Sequence, residues 1–295
     1  MMGDMKTDVV VIGGGIMGST IASFLRCGGR EVVLFDDGRP ESGSRASGGL
    51  IKPSKFTGLS NEANTEVLRV MGNLFGVTPE PFVIRPSFDL LKMDIHRVDM
   101  DRLFAEPRVH ARVTAVRPAR GAGSMHAVEF KHGVDEGTAQ CNFIVLAAGY
   151  WCGELFPSAF PGGSLTAQKG VSFRFSGRIK QSFVQAWAPY KQITVHNTLR
   201  NGRPEVWTGD GTALKPGNWT QTREAECLAR VRGAMKIAAV QPVLTTTGLR
   251  PFHESGDKPC YLREIRRDIW AATGAGKFGC ISAAWAASRL AGELL

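Results

Sequence analysis

A glycine-rich segment near the start of the 295-residue chain has the spacing of a dinucleotide-binding turn. Gly13, Gly15 and Gly18 follow the GxGxxG pattern. In it the first glycine permits a tight turn, the second lets backbone approach a pyrophosphate, and the third allows close helix–strand contact. Asp36 follows, where a carboxylate can accept both ribose hydroxyls and disfavours a 2′-phosphate. The pattern predicts a bound dinucleotide other than NADP, and the alternative is a doubly wound domain without a ligand.

The elements around these glycines form a strand, a helix and a second strand. Residues 9–12 are a short β-branched run, which is typical of a parallel strand buried on both faces. A helix is predicted from Ile16 to the Gly28-Gly29 pair, and its first N–H groups would face the phosphates. The second strand, residues 31–35, delivers Asp36 at its carboxyl end.

The rest of the chain alternates between strand and helix patterns. Residues 60–75 predict an amphipathic helix with Ser60 as its cap, and residues 109–116 and 125–130 predict a β-ribbon. Further strands are predicted at 142–150, 173–175, 185–187, 192–195 and 205–208, with a turn at Asn201-Gly202. A capped helix is predicted from 222 to about 236.

Composition predicts a globular protein. The hydrophobic content of 43% allows a large core, and no apolar run approaches the length of a membrane span. The first strand begins within a few residues of the start, so we expect no signal peptide and a cytoplasmic protein with no membrane partner. The six cysteines are scattered without a CxxC pair, which favours reduced thiols over disulfides or zinc.

The net charge of +9 suggests an anionic partner. Residues 166–232 contain eleven Lys and Arg but only four Asp and Glu. Aromatic residues are interleaved with these cations, namely Phe173, Phe175, Phe183, Trp187, Tyr190, Trp207 and Trp219. The combination predicts a surface that follows phosphates and stacks bases, and the alternative is a solvated basic face over an aromatic core.

Several segments resemble, in the same order, the FAD domain of the glycine oxidase, sarcosine oxidase and D-amino-acid oxidase (DAO) family. They are GGGIMG with Asp36, SRASGGL at 44–50, RVTAV at 112–116 and FIVLAAGYWCGEL at 143–155. TGLRP at 247–251 resembles that family's GxRP element, and residues 270–295 resemble its closing strand, glycine turn and final helix. The middle of the chain matches only loosely.

The resemblance implies an α/β fold in which a Rossmann-like FAD-binding domain of the GR2 type is interleaved with a smaller α+β substrate domain built on an antiparallel sheet. The FAD-binding domain would comprise residues 1–55, 94–165 and 240–295, and the substrate domain residues 56–93 and 166–239. The segment between the SRASGGL loop and the RVTAV ribbon is shorter than is usual in the family. We therefore expect a more open cleft.

The implied cofactor is FAD, held noncovalently because Cys260 aligns with an ordinary apolar position. The residues expected at FAD are Gly13, Gly15, Ile16, Met17, Gly18, Asp36, Asp37, Ser44, Arg45, Ser47, Gly48, Gly49, Leu50, Val113, Ala148, Gly149, Trp151, Gly248, Arg250, Gly274, Gly276, Lys277, Phe278 and Gly279.

The resemblance also implies oxidation of an amine or amino acid by hydride transfer to flavin N5, hydrolysis of the imine by water, and reduction of O2 to H2O2. Arg250, in the GxRP element, would hold a substrate carboxylate through a bidentate contact. The alternative is a structural ion pair between Arg250 and Asp257 or Glu264.

Five further residues are weaker candidates for the active site. Basic residues near Lys52 and Lys277 serve substrate carboxylates or oxygen activation in some sarcosine-oxidase relatives, whereas surface lysine is the alternative for each. Tyr190 and His253, together with His196, are candidates to line the pocket, although a lone histidine is more often packed or exposed.

Three classes of function stay open from sequence. The first is an FAD-dependent amine or amino-acid oxidase whose small substrate is free or attached, as an amino-acid-like group, to a nucleobase. The second is an FAD-binding accessory protein, and the third is a flavin dehydrogenase that passes electrons to a partner or quinone. The sequence does not predict the oligomeric state.

Overall fold

The computed structural model describes residues 4–51, 59–85, 92–121, 123–188, 191–200, 202–209, 211, 214–237, 240–257 and 259–295. Within them the strands are β1 (Met5–Ile12), β2 (Val32–Phe35), β3 (Leu50–Ile51), β4 (Val77–Arg85), β5 (Lys92–Val98), β6 (Arg112–Arg117), β7 (His126–His132), β8 (Asp135–Leu146), β9 (Leu165–Ser176), β10 (Ser182–Ala188), β11 (Lys191–Arg200), β12 (Arg203–Gly209), β13 (Leu244–His253), β14 (Tyr261–Arg266) and β15 (Ile269–Thr273). The helices are α1 (Ile16–Cys27), α2 (Asn61–Phe75), α3 (Met100–Phe104), α4 (Cys152–Leu155), α5 (Gln221–Met235) and α6 (Gly279–Leu294).

The first sheet has the order β14-β15-β8-β1-β2, and β7 extends from β8 and pairs in turn with β6. The contacts of β1 with β2 and β8, and of β8 with β15, are parallel. Val9 and Val11 pack toward α1 and α6, whereas Val10 and Ile12 pack on the opposite face against Phe130. Burial on both faces explains the β-branched run, and the predicted α/β fold is confirmed.

The second sheet has the order β13-β9-β12-β11-β10-β4-β5-β3 and is antiparallel except where β10 meets β4. Helix α5 covers one face through an apolar core that contains Phe173, Phe175 and Phe183. These rings are at most 5% exposed. The prediction that they form a base-stacking surface is therefore wrong, because they are the core of this sheet. The Trp187 side chain and Tyr190 lie outside what the structure describes.

The local predictions agree with the elements. Ser60 caps α2 by accepting a hydrogen bond from the N–H of Ala63, and Thr220 caps α5 through that of Arg223.

Helix α2, predicted in the substrate domain, packs with α1 and α6 through Val67, Val70 and Met71. Strands β3 and β13 come from segments assigned to the FAD-binding domain but pair within the second sheet. The division into domains stays a prediction.

None of the six cysteines, all within the described residues, forms a disulfide, and five of them are buried, whereas Cys27 is exposed. None of the described helices combines the length and the hydropathy needed to cross a membrane.

Candidate functional site

A cavity of about 700 Å³ lies where the two sheets meet. Its floor is formed by the carboxyl ends of β1, β8 and β15, and the opposite wall by residues of β11, β12 and β13. Open α/β sheets bind ligands at the carboxyl ends of their strands, and the volume falls within the range of small-molecule sites.

The glycine turn after β1 has no room for a side chain at Gly13 or Gly18. Gly13 has φ +106°, and a Cβ atom added there would lie 2.6 Å from the carbonyl oxygen of Ala147. A Cβ atom at Gly18 would lie 1.8 Å from the carbonyl oxygen of Gly13, so this glycine lets α1 pack on the turn. At the start of α1, the N–H of Ile16 lies 2.8 Å from the Ser44 hydroxyl beside the cavity. A helix start and a hydroxyl are donors that suit a pyrophosphate, so the turn fits a dinucleotide.

Asp36 lines the cavity at the end of β2 and is fixed by a residue that the sequence reasoning missed. The Arg108 guanidinium, only 6% exposed, lies 3.3 Å from Oδ2 of Asp36 and donates to the carbonyl of Gly14 at 2.7 Å. It also donates to the carbonyl of Phe104 at 3.0 Å. Arg108 thus ties the ribose-site carboxylate to the glycine turn. It is 72 residues from Asp36 in sequence, so no local pattern indicates the contact.

Arg39 forms a corner of the cavity with two predicted residues. Its Nε lies 2.6 Å from Oδ2 of Asp37, and its guanidinium carbon lies 4.7 Å from the ring centroid of Trp151. All three residues line the cavity. The ion pair with Asp37 and the cation–π contact with Trp151 fix the flat Arg39 guanidinium at this end of the cavity.

The loop from Ser42 to Leu50 is wedged between strands of the second sheet. A Cβ atom at Gly43 would lie 2.6 Å from the carbonyl oxygen of Leu249, and one at Gly48 would lie 2.5 Å from Nε2 of His196. The N–H of Leu249 also donates to the carbonyl of Glu41 at 2.8 Å. Backbone therefore meets backbone where the loop crosses β13.

His196 is fully buried behind this loop. Its Nδ1 lies 2.9 Å from the carbonyl oxygen of Asn197, and because a carbonyl only accepts, Nδ1 carries the hydrogen. Burial lowers the pKa of His196 to about 3, so the ring is neutral. It packs against Trp207 at a centroid distance of 5.1 Å, and Trp207 lines the cavity. His196 thus supports a wall of the cavity from behind.

Arg250 and Lys277 bring two cations into the cavity. The Arg250 guanidinium lies over Gly170 of the neighbouring strand β9, where a Cβ atom would meet three guanidinium atoms at 2.8 to 2.9 Å. Burial, and then the charge of Arg250, lower the pKa of the Lys277 ammonium. The acids proposed as structural partners of Arg250 have other contacts. Asp257 pairs with Arg263 at 3.1 Å, and Glu264 accepts the N–H of Asp268 at 2.7 Å.

Most of the predicted site residues share this cavity, although their contacts with a cofactor or substrate stay predictions. Those that line it are Gly13, Gly15, Ile16, Met17, Asp36, Asp37, Ser44, Ser47, Gly48, Leu50, Val113, Ala148, Gly149, Trp151, Gly248, Arg250, Gly276, Lys277, Phe278 and Gly279. Lys52 and Tyr190 lie outside the described residues.

Six predicted residues are absent from the described lining: Gly18, Arg45, Gly49, Gly274, His253 and His196, which lies behind Trp207. Gly18 lies beneath the turn, and Gly49 packs against the Met100 side chain. The His253 ring instead stacks on Tyr261 at 4.0 Å and its Nδ1 lies 2.8 Å from the Ser255 hydroxyl, which corrects the prediction that it lines the pocket.

Gln192, Thr194, Trp207 and Gly209 line the cavity without having been proposed as site residues. They occupy alternate positions on β11 and β12, and Thr194 pairs directly with Gly209. The period of two was visible in the sequence, but it does not say which face of the sheet meets the ligand.

Comparison with known proteins places these features in a family. The sequence matches the family model DAO, FAD dependent oxidoreductase, over residues 8–84 and 102–293. The glycine oxidase of Bacillus licheniformis is 24% identical over 329 aligned positions, which cover 87% of this chain and 84% of that protein.

Two solved structures share the fold. The glycine oxidase from Geobacillus kaustophilus superposes with a TM-score of 0.73 at 15% identity, covering 98% of this chain and 95% of that one. The iminodiacetate oxidase from Chelativorans sp. BNC1 superposes with a TM-score of 0.70 at 17% identity, covering 96% and 94%.

Proposed function

This chain belongs to the DAO family of FAD-dependent oxidoreductases, and we propose that it oxidises an amine or amino acid that bears a carboxylate. The observation that carries the proposal is the pairing of Arg250 and Lys277 in one cavity with the glycine turn and Asp36. Two cations close enough for one to lower the pKa of the other form a binding site for an anion.

The proposed cofactor contacts divide the cavity by chemistry. The start of α1 and the Ser44 hydroxyl would hold the pyrophosphate, and Asp36 the ribose. The start of α6 at Gly279, where the positive end of the helix dipole lies, would face the flavin ring. FAD, when bound, supplies the two-electron acceptor for the carbon–hydrogen bond next to the nitrogen.

Arg250 would orient the substrate by clamping its carboxylate with two parallel hydrogen bonds. Its position over Gly170, at the wall of the cavity, supports this role. Lys277 would add a second positive charge and raise the local concentration of anionic substrate. Positioning of this kind can supply most of the catalysis that the protein itself contributes.

The test is a comparison of matched amines with the FAD-loaded protein. Glycine and sarcosine should reduce the flavin in the absence of air, and peroxide should form when air is admitted. Methylamine and dimethylamine, which lack the carboxylate, should react at least tenfold more slowly. Equal rates with and without the carboxylate would contradict the proposal.

The same assay separates the alternatives. A dehydrogenase would be reduced by the amine but reoxidised by a quinone faster than by O2. An accessory flavoprotein would bind FAD and react with none of these amines.

A more specific candidate substrate is an amino-acid-like group carried on a nucleobase. One observation favours it: β11 and β12, which form a wall of the cavity, belong to the segment 166–232, where Lys and Arg exceed Asp and Glu by seven. Its test is turnover of an oligonucleotide bearing a glycyl group against turnover of free glycine. Faster turnover of free glycine would leave a small-molecule oxidase.

A further inference from the structure

Two turns at one end of the second sheet bring together four exposed cations. Arg178 and Lys180 lie in the turn between β9 and β10, and Arg200 and Arg203 lie where β11 turns into β12. We call these four residues the basic tip. The described residues of the two turns, 176–181, 198–200 and 202–204, include no Asp or Glu.

The two turns are fastened to each other. The Asn197 side chain forms two hydrogen bonds with the backbone of Ile179, donating to its carbonyl and accepting its N–H, both at 2.9 Å. The N–H of Gly177 donates to the carbonyl of Pro204 at 3.1 Å. Because Ile179 lies between Arg178 and Lys180, these contacts hold the cations of both turns in one arrangement.

This arrangement has an electrostatic cost. Arg200 and Arg203 are directly opposite each other in the ladder, where like charges are destabilising. The neighbouring Arg174 is paired with Glu205 at 3.5 Å, whereas no ion pair is found for the four tip residues within the described chain. A binding partner with the opposite charge would offset the repulsion.

The tip and the cavity lie on the same face of the sheet, and between them the Ser42–Leu50 loop packs on the fully buried His196. The register of β11 and β12 is unbroken from Thr194 opposite Gly209 to Arg200 opposite Arg203. Side chains alternate with a period of two, so Arg200 lies on the face of Thr194, and Arg203 on the face of Trp207 and Gly209. Six residues at about 3.4 Å each separate the cavity from the tip by ~20 Å.

We propose that the basic tip binds the phosphate backbone of a nucleic acid. Charge dominates the surface: Leu199, 48% exposed, is the sole large hydrophobic residue exposed in the described parts of the two turns. A protein interface would present an apolar centre. Phe173, Phe175 and Phe183 are buried, so the contact is with phosphates and is independent of base sequence.

Binding at the tip does not depend on the proposed oxidation, but delivery of an attached amine to Arg250 does. The two are therefore measured separately. Binding is read by the fluorescence anisotropy of a labelled 20-base-pair duplex with the FAD-loaded protein. Oxidation is read as peroxide formed from glycine or sarcosine.

Four phosphate contacts predict that the logarithm of the association constant falls with the logarithm of salt concentration with a slope of about −3.6. The double variant Arg200→Ala/Arg203→Ala should reduce this slope to about −1.8 and leave turnover of free amino acid unchanged. The matched control is Arg117→Ala/Lys131→Ala, which also removes two cations. These two are paired with Glu129 and Glu136 in the first sheet.

Three results would overturn the proposal. They are no binding by the wild-type protein at 50 mM salt, equal slopes for the tip variant and the control, and displacement of the duplex by polyglutamate as effectively as by unlabelled DNA at equal charge. The last result would assign the tip to an acidic protein instead. The tip variant removes the repulsion between Arg200 and Arg203, so we expect it to stay folded. A thermal melting curve checks this.

Discussion

The two walls of the cavity are built by different means. On the side of β1 and α1, backbone defines the shape, and a Cβ atom at Gly13 or Gly18 would collide with a carbonyl oxygen. On the side of β11–β13, side chains such as Arg250 and Trp207 define it. The first wall is specified by neighbours in sequence, and the second by strand pairing between distant segments. A single substitution should therefore abolish binding at the first wall but only reduce reactivity at the second.

The largest expected effect is loss of the cofactor from the glycine turn. Gly18→Ala should give a protein without bound FAD, because its Cβ atom would lie 1.8 Å from the carbonyl oxygen of Gly13. Gly15→Val, which meets mainly the Ser44 hydroxyl at 2.8 Å, should keep the fold and still lose the yellow colour. Absorbance at flavin wavelengths and release of FAD on denaturation measure both.

The control for the turn is Gly72→Ala in α2, where nothing lies within 4 Å of the added atom. It should retain FAD and gain up to about 1 kcal/mol from better helix propensity. Full FAD content in Gly18→Ala would show that the backbone wall is more tolerant than its geometry indicates.

The next effect belongs to the side-chain wall. Arg250→Met should lower kcat/KM for a carboxylate-bearing amine by roughly one to two decades, since a charge-assisted contact contributes about 1.5–3 kcal/mol. FAD content should not change. Arg250→Lys keeps the charge but cannot form two parallel hydrogen bonds. Its kcat/KM should therefore lie between those of Arg250→Met and the wild type. Unchanged kinetics in both variants would assign Arg250 to structure.

A smaller effect should arise behind Arg250. Gly170 has no positive φ, so Gly170→Ala is allowed by the backbone, but its Cβ atom would displace the guanidinium it meets at 2.8 Å. We expect a decrease in kcat/KM of about three- to tenfold, mainly through KM. In the Arg250→Met background the same change should have almost no effect, because the group that it displaces is absent. Additive effects would mean that Gly170 acts elsewhere.

A separate effect concerns acid stability, where His196 packs behind Trp207 at the side-chain wall. Folding lowers the pKa of this ring from 6.5 to about 3, so it contributes stability above pH 6.5 that is lost as the pH falls toward 3. The melting temperature of His196→Gln should therefore vary less over this range than that of the wild type. His253→Gln, at a less buried ring, is the control and should reduce the variation less. Parallel curves for His196→Gln and the wild type would contradict the assignment.

The contrast between the backbone wall and the side-chain wall also explains which features the sequence could predict. The glycine spacing, the β-branched run at 9–12 and the Ser60 cap depend on neighbouring residues, so these elements were predicted where they occur. Arg108 could not be found, because its contact with Asp36 joins segments that only the fold brings together. The alternation in β11 was visible, but the loop that selects its cavity face lies some 150 residues earlier.

The aromatic residues of the second sheet also show what sequence alone does not predict. Phe173 and Phe175 alternate with cations in a way that suits either a stacking surface or a core. The position of α5, which covers one face of the sheet, decides between them. Sequence separates the two faces of a strand but does not reveal which one a distant helix covers.

The buried cysteines determine how such an enzyme withstands its own product. If turnover releases hydrogen peroxide, the species at risk is the thiolate, which peroxide converts to sulfenic acid. Burial raises the pKa of Cys152 and Cys280 to about 12, although each adjoins a residue that lines the cavity, Trp151 and Gly279 respectively. Their sulfurs stay protonated and buried, although they are one residue from the cavity lining. Oxidative damage is thereby directed to Cys27, the exposed thiol at the end of α1, whose loss alters neither wall of the cavity.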